Sequence, residues 1–524
     1  MTFVLSWLGR LRVRYSMVMV AVLGLPIIVH LGLQWLLYAR GFTALTADEF
    51  GRILFAAQWA EQPRWIWRGP WLPFHRYLFG LLFKLRWDLL YLPRAVTITI
   101  GLVSLPCMYL LTRGIFGQRR VAWISLLLLS VSPAHIWLSS TPLTEIYHTS
   151  LVLGCMTAFV YAINQRRQRY LYLSAALLAL ATGFRFEAWM VAVVYSLLLG
   201  GLLIGQRWRL MVPIFSPWAL VGAAVMPWIF PCAWLIGGFL TTGQPLAFLS
   251  AIQDYKRTWY GDQQSWRNYL APLLLIDRYA LILLLPGVVI SLIVHRRLNV
   301  IWYCIISIAP LLIFFGLHRG QLEPAGNYVR YLAPFVFMLY PLVAVALDTI
   351  VGALIKTRLY QTVVLAIVCV VIGTLQGGSS LRITNDSAGA GIAVGQHIRA
   401  VRTSNAISAQ QSVLLELTYW QYMSIHIGAN DLGTIVYDRP LDLAQRRSQS
   451  VFVTHPQSIS ACLATYNIGL LVVASPALRD VIEQELKLTP TTIVNDFRFY
   501  HVPAAPSSPE TPSCPVALQT GSSR

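Results

Sequence analysis

The sequence predicts a mainly α-helical, polytopic membrane bundle carrying a small C-terminal α/β domain. Three observations predict it. Hydrophobic residues make up 56% of the 524 residues and charged residues only 12%, well below the roughly 25% of a soluble domain. Apolar runs near the length of a spanning helix, about 20 residues, recur between residues 15 and 377. Past residue 378 short β-branched runs alternate with amphipathic segments instead. The 18 Trp and 24 Tyr suit the membrane interface, where an apolar ring with one polar atom is stable.

A net charge of +19 suggests nucleic acid, but its distribution excludes that reading. Many of the basic residues gather in "RLRVR" (10–14), "RGIFGQRR" (113–120), "QRRQR" (165–169), "QRWR" (206–209), "HRR" (295–297) and "KTR" (356–358). Basic short loops stay cytoplasmic. Spans are expected at 15–38, 95–112, 121–139, 143–163, 170–184, 187–204, 210–236, 270–294, 299–317, 331–350 and 359–377, about eleven in all. With the N-terminus inside, each cluster then falls on the cytoplasmic face. No small-residue cleavage site follows the first span, so it reads as a retained anchor.

This topology leaves a loop at 39–94, a loop at 237–269 and the region from 378 on the outer side. Residues 1–377 read as the membrane module, with the loop 39–94 carrying the chemistry. Residues 378–502 read as an extracytoplasmic α/β domain and 503–524 as a disordered Pro/Ser-rich tail. In the first loop, "FGRILFAAQWAEQ" (50–62) and "FHRYLFGLLFKLRW" (74–87) have helical apolar spacing and scattered cations. They read either as plain surface helices or as interfacial helices forming a cradle for an anionic lipid. Strands are expected at 412–418, 433–438, 468–475 and 491–502, and helices at 391–403, 456–467 and 476–488. Only Cys462 and Cys514 face outward, and no Cys/His spacing suggests zinc.

Ionisable groups at membrane depth or helix ends are functional hypotheses by default. Asp48 and Glu49 stand side by side in "TADEF" (46–50), in a chain with only 21 acids. Glu145 lies in "SPAHIWLSSTPLTEIYHTS", Arg185 and Glu187 in "ATGFRFEAWMV", and Arg330 with Tyr331 in "GNYVRYLAPFVFMLYPLVA". On this topology all converge on the outer face. Each has a plainer reading. The acids can cap helices, Arg185 and Glu187 can pin two helix ends together, and Arg330 can anchor a span.

These stretches resemble the polytopic glycosyltransferases of the GT-C fold. The branch is the bacterial one related to protein O-mannosyltransferases and the lipid A aminoarabinose transferase. The resemblance covers about 39–350 and rests on the order of its elements. These are the acidic pair after the first span, "GPWLPFHRYLFGLLF", "RAVTITIGLVSLPCMYLLTRGIFGQRRVAW", "SPAHIWLSSTPLTE", "FRFEAW" and "RYLAPFVFMLYPLVA". It implies transfer of a sugar from a polyprenyl-phosphate donor to an acceptor hydroxyl at the outer face of a bacterial plasma membrane. Asp48 would be the base, and Glu49 would orient the acceptor or help bind a divalent cation, with metal dependence open. Arg330, Arg185, Lys256 and Arg257 would hold the lipid phosphate, and Glu145, Glu187, His75 and Tyr331 would line the substrate. One base without a nucleophilic carboxylate favours inversion. The acceptor is a protein, lipid or glycan, and membrane lipids are the other partners. A lipid-linked glycan ligase or polymerase is the near alternative. A transporter or flippase is the remote one, since no inverted repeat is visible.

Overall fold

The computed structural model describes residues 17–67, 69–209, 212–260, 267–294, 298–318, 325–382, 386–408, 410–418, 421–439, 449–503, 514 and 518–520. The chain divides into two compact units. The first comprises Met1–Gly41, Trp65–Phe74 and Val96–Ile383; the second comprises Phe42–Arg64, His75–Ala95 and Thr384–Arg524. The helices Phe74–Leu85 and Tyr91–Phe116 run across this division.

The first unit is the helical membrane unit. Among the described residues six helices are long and apolar enough to cross a membrane: Tyr91–Phe116, Thr144–Gln165, Glu187–Arg207, Pro217–Thr242, Asn299–Leu317 and Arg358–Ser380. Two bent pairs can add a crossing each, Arg119–Val131 with Pro133–Ser140 at 58° and Arg330–Phe337 with Tyr340–Leu354 at 49°. Against about eleven expected spans, the described residues thus offer six to eight candidate crossings. Each expected segment contains described helix, and two of these helices are short or interrupted. Gln168–Phe184 has 17 residues. Arg267–Val294 is interrupted at Asp277, whose φ of −164° and ψ of 82° are not helical.

The breaks have identifiable causes. Pro133 disfavours helical geometry at Ser132, which is extended at φ −62°, ψ 122°. Pro341 likewise sits in the first turn of Tyr340–Leu354. Backbone groups freed inside a membrane must find protein partners. The helix Met17–Ala39 supplies several at positions one turn apart. His30 Nδ1 meets the Ser130 carbonyl at 2.9 Å, Gln34 Nε2 donates to Ser139 Oγ at 2.8 Å, and the Tyr38 hydroxyl donates to the Ser140 carbonyl at 2.5 Å. The buried Tyr340 hydroxyl joins three interruptions, reaching Ser132 Oγ at 3.1 Å and Asp277 Oδ2 at 3.0 Å.

The second unit is built on a six-stranded sheet. Its strands are β1 (Ser412–Leu415), β2 (Ile435–Tyr437), β3 (Ile468–Val473), β4 (Thr492–Val494), β5 (Phe497–His501) and β6 (Gln519–Thr520). The order is β4-β5-β3-β1-β2-β6, with β1 parallel to both β2 and β3 and the other pairings antiparallel. Alternate residues feed two apolar layers. Val413, Leu415, Leu470 and Val472 meet Ile398 and Ile425 on one face. Leu414, Leu471 and Val473 meet Ile459, Leu478 and Ile482 on the other. The expected strand 491–502 is a hairpin instead, turning at Asn495, whose φ is +52°. The helix Gln421–Ala429 was not expected from the sequence.

The tail 503–524, expected to be disordered, lies mostly outside the described residues; Cys514 and residues 518–520 are described in this unit. Cys514 forms a disulfide with Cys462, and β6 pairs with β2. The first-loop segments belong here too. Trp87 Nε1 donates to the Asn430 carbonyl at 3.1 Å, and the Leu89 amide donates to Asn430 Oδ1 at 2.9 Å.

The helices Gly391–Thr403 and Gln421–Ala429 cross through glycine. A Cβ on Gly428 would stand 2.2 Å from the Ile392 carbonyl oxygen. Replacing Gly by Ala inside a helix ordinarily gains about 1 kcal/mol; here the backbone clash reverses the sign. Gly428→Val should cost about 1–3 kcal/mol, read as a lower thermal unfolding midpoint of the purified chain. Gly433→Ala, with open space around it, should leave the midpoint unchanged.

Candidate active site

The acidic pair opens the helix Asp48–Glu61, where negative charge complements the helix dipole. The two acids are not equivalent. The N-cap residue is Ala47, with no side-chain cap bond. Glu49 turns back instead, its Oε1 accepting the amides of Leu45 at 2.6 Å and Thr46 at 3.0 Å. It is 1% exposed. Burial pushes its carboxyl up to about 8, against those two amides and the charge of Arg94; Asp386 adds to the rise. Asp48 is half-buried. Its Oε1 is thus committed to two backbone amides of the preceding turn.

The turn ahead of the pair is fixed on both sides. Arg94 Nη2 donates to the Thr43 carbonyl at 2.6 Å, and the Asp386 amide donates to the Ala44 carbonyl at 3.1 Å. Asp386 in turn caps the short helix Ser387–Ala390 through the Ala388 amide, at 2.8 Å. On the other side Gly51 faces Met423, whose Sδ would lie 3.3 Å from an added Cβ. Arg52 is buried one helical turn beyond Asp48. His75 is buried in the same unit, its ring 4.7 Å from that of Phe79. The Asp48–Arg52 spacing was visible in the sequence; Asp386 and Met423, more than 300 residues downstream, gave no signal.

Glu145, Arg185, Glu187, Arg330 and Tyr331 meet in the membrane unit. Arg185 ends the helix Gln168–Phe184, Glu187 opens Glu187–Arg207, and Glu145 lies in the first turn of Thr144–Gln165. The Arg185 guanidinium grips Glu187 with two bonds, Nε to Oε2 at 2.9 Å and Nη2 to Oε1 at 2.5 Å. Its Nη1 donates to Glu145 Oε1 at 2.7 Å and Thr144 Oγ1 at 3.1 Å. Arg330 Nε lies 3.6 Å from Glu145 Oε1, and its Nη2 donates to the Tyr331 hydroxyl at 2.7 Å. Both guanidiniums stack on the Tyr331 ring, at 4.9 and 4.8 Å. Two cations thus face two carboxylates, and Arg185 is committed to Glu145 and Glu187. His148, buried a turn beyond Glu145, was not singled out from the sequence. Lys256 and Arg257 fall in the helix Ala247–Tyr260, but their side chains lie outside the described residues. Among the described residues no group of three His, Cys, Asp or Glu is placed to hold a metal ion.

Two outcomes follow from this geometry. The folded chain holds the Glu49 proton more tightly than the unfolded chain does. Its contribution to stability is therefore full below pH 4.5 and lost as pH rises through about 8. Glu49→Gln should flatten that part of the stability–pH curve, measured as the unfolding midpoint across the range. Arg185→Gln should cost about 3–5 kcal/mol by stranding buried carboxylates. Arg185→Gln with Glu187→Gln should cost less than the sum of the single changes, by roughly 0.5–3 kcal/mol. Additive losses in that double-mutant cycle would mean the pair is not coupled.

Residues 68–234 match the sequence model of the family described as dolichyl-phosphate-mannose-protein mannosyltransferase. None of the curated protein sequences matches the chain. The structure is similar to ArnT from Cupriavidus metallidurans bound to undecaprenyl phosphate, with a TM-score of 0.60 and 12% identity over 92% of this chain and 98% of that one. The apo state of ArnT gives 0.57 and 13% over 91% and 97%. The archaeal oligosaccharyltransferase AglB from Archaeoglobus fulgidus, in complex with an inhibitory peptide and a dolichol-phosphate, gives 0.52 and 14% over 89% and 69%. Residues 68–234 thus carry that family's pattern, and the chain as a whole has an ArnT-like, GT-C-type fold.

Proposed function

We propose that the protein moves a sugar from a polyprenyl-phosphate donor to an acceptor hydroxyl at the extracytoplasmic face, with Asp48 as the general base and with inversion at the anomeric carbon. The observation that carries this reading is the division of labour in the acidic pair. Glu49 is spent on the Leu45 and Thr46 amides, while Asp48 stands half-buried on the turn they fix. A base must be held within hydrogen-bond reach of the proton it takes, and an anchored first turn supplies that positioning. ArnT with undecaprenyl phosphate and AglB with a dolichol-phosphate support the donor class.

The reaction balances with these groups alone. The acceptor oxygen attacks the anomeric carbon as its proton passes to the Asp48 carboxylate. The bond from that carbon to the phosphate oxygen breaks, and the polyprenyl phosphate leaves as an anion. That anion needs cationic hydrogen-bond donors rather than a proton. The Cys462–Cys514 disulfide supports the outer placement of the C-terminal region, since disulfides persist in oxidising compartments.

Asp48→Asn keeps the side chain's size, and the helix has no side-chain cap bond to lose at Ala47. Folding should survive while transfer from polyprenyl-phosphate sugars falls roughly 100- to 10,000-fold, with donor binding retained. A folded Asp48→Asn protein transferring at the wild-type rate would remove Asp48 from the chemistry. Alkaline phosphatase fused after Arg524 should be active and a fluorescent protein at the same place dark; the reverse pair of results overturns the topology. Comparing envelope glycans with and without the gene by mass spectrometry would name the sugar.

A further inference from the structure

Two bent helix pairs of the membrane unit lead into the same charged cluster. The pair Arg119–Val131 and Pro133–Ser140 runs on through Thr141 into the helix that opens with Thr144 and Glu145. The pair Arg330–Phe337 and Tyr340–Leu354 supplies Arg330 and Tyr331. Beyond the bends, away from that cluster, the chain is locked. Arg120 pairs with Asp348, and a Cβ on Gly287 would stand 2.2 Å from the Leu342 carbonyl oxygen, so backbone lies against backbone there. On the cluster side the hold is softer. Phe337 meets the His135 ring edge to face at 5.5 Å, and Phe335 meets His148 at 6.5 Å. Pro334 has no amide to bond the Arg330 carbonyl, which loosens that turn. Arg330 Nε stands 3.6 Å from Glu145 Oε1, beyond hydrogen-bond range, while Arg185 Nη1 reaches the same oxygen at 2.7 Å. Where Arg330 stands therefore depends on the angle of the bend behind it.

We propose that Tyr340 is a positioning residue, whose hydroxyl joins the two bends and so sets where Arg330 stands against Glu145. Tyr340 is the first residue of the segment behind the second bend, and it is fully buried. A phenylalanine would fill the same space. The hydroxyl is costly to bury unless bonded, so what it adds is its two bonds. One reaches Ser132 Oγ at the first bend, at 3.1 Å, and the other reaches Asp277 Oδ2 at the kink of Arg267–Val294, at 3.0 Å. The helical ladder does not fix the second bend by itself. The Met338 amide keeps only a 3.4 Å bond to the Pro334 carbonyl, and the Met338 carbonyl is taken by the Tyr303 hydroxyl from another helix. The Tyr340 ring rests on Phe337 at 5.8 Å, which passes its position to the segment that carries Arg330. Tyr340 is ten residues from Arg330, about 15 Å along a helix. It acts through the bend rather than by touching the cluster.

The test has a stability arm, which is independent of the glycosyltransferase reading, and a kinetic arm, which rests on it. Full-length protein carrying Tyr340→Phe, Arg330→Gln or both is unfolded in mixed detergent micelles with sodium dodecyl sulfate. Changes this far apart add unless one residue sets the place of the other. The loss from Arg330→Gln should therefore shrink in the Tyr340→Phe background, a coupling of roughly two- to hundredfold in the unfolding equilibrium constant. In the kinetic arm, Tyr340→Phe should lower kcat/KM for a polyprenyl-phosphate sugar roughly ten- to a hundredfold, the scale of a small misplacement far from the chemistry. Ser132→Ala removes one of the two bonds and should lower it less; added to Tyr340→Phe it should lower it no further. A merely space-filling Tyr340 would move neither the coupling nor kcat/KM of the folded enzyme. Additive stability losses, or a folded Tyr340→Phe enzyme at the wild-type kcat/KM, overturn the role. Should Tyr340→Phe not fold, Ser132→Ala takes its place in the cycle with Arg330→Gln, and the same outcomes decide. A wild-type chain that transfers no sugar sinks the glycosyltransferase reading and leaves the stability cycle to decide on Tyr340.

Discussion

A charge taken out of water must be paired or neutralised, and much of this structure is organised by that requirement. Removing an ion from water costs several kcal/mol even after relaxation. Arg185 answers it with two carboxylates from two other helix ends, Glu145 and Glu187. Arg120 is paired with Asp348, and Arg439 with Asp438 and Glu416. Glu49 answers it differently, by holding its proton. Several of the paired charges sit where helices and strands end. Arg185 and Glu187 together define the junction between Gln168–Phe184 and Glu187–Arg207.

The membrane imposes the same rule on the backbone. A helix interrupted in hydrocarbon leaves amides and carbonyls that only protein can satisfy. The bundle gathers its interruptions rather than scattering them. Ser132, Asp277 and Tyr340 come from three separate stretches of chain, and one hydroxyl serves them together. The helix Met17–Ala39 lays His30, Gln34 and Tyr38 along the bend at Ser132. A bent span therefore needs neighbours with polar groups at matching heights, which accounts for polar residues inside otherwise apolar helices.

The turn that carries Asp48 shows how positioning is achieved outside the bundle. It is held by its own helix through Glu49, by Arg94, and by the backbone at Asp386. Contacts from the far end of the chain thus hold a loop that sequence places beside the first span. Such support would serve the general base proposed at Asp48, because small displacements of a catalytic group are costly. The resemblance to GT-C enzymes explains the scaffold; the anchoring of this turn is specific to the residues of this chain.

The sequence by itself determined that this is a membrane helix bundle with a mixed C-terminal domain, because apolar run length and strand alternation are local properties. It singled out Asp48, Glu49, Glu145, Arg185, Glu187 and Arg330 because charge is scarce in such a chain and each instance stands out. It did not locate the interruptions, since the break at Ser132 and the kink at Asp277 lie within apolar stretches. It could not pair Cys514 with Cys462 or place β6 beside β2, because the tail's composition says nothing of what it meets 52 residues away. Nor could it distinguish Asp48 from Glu49, adjacent acids of the same charge. Only the tertiary structure decided that, by burying one carboxyl against two backbone amides and leaving the other half-exposed.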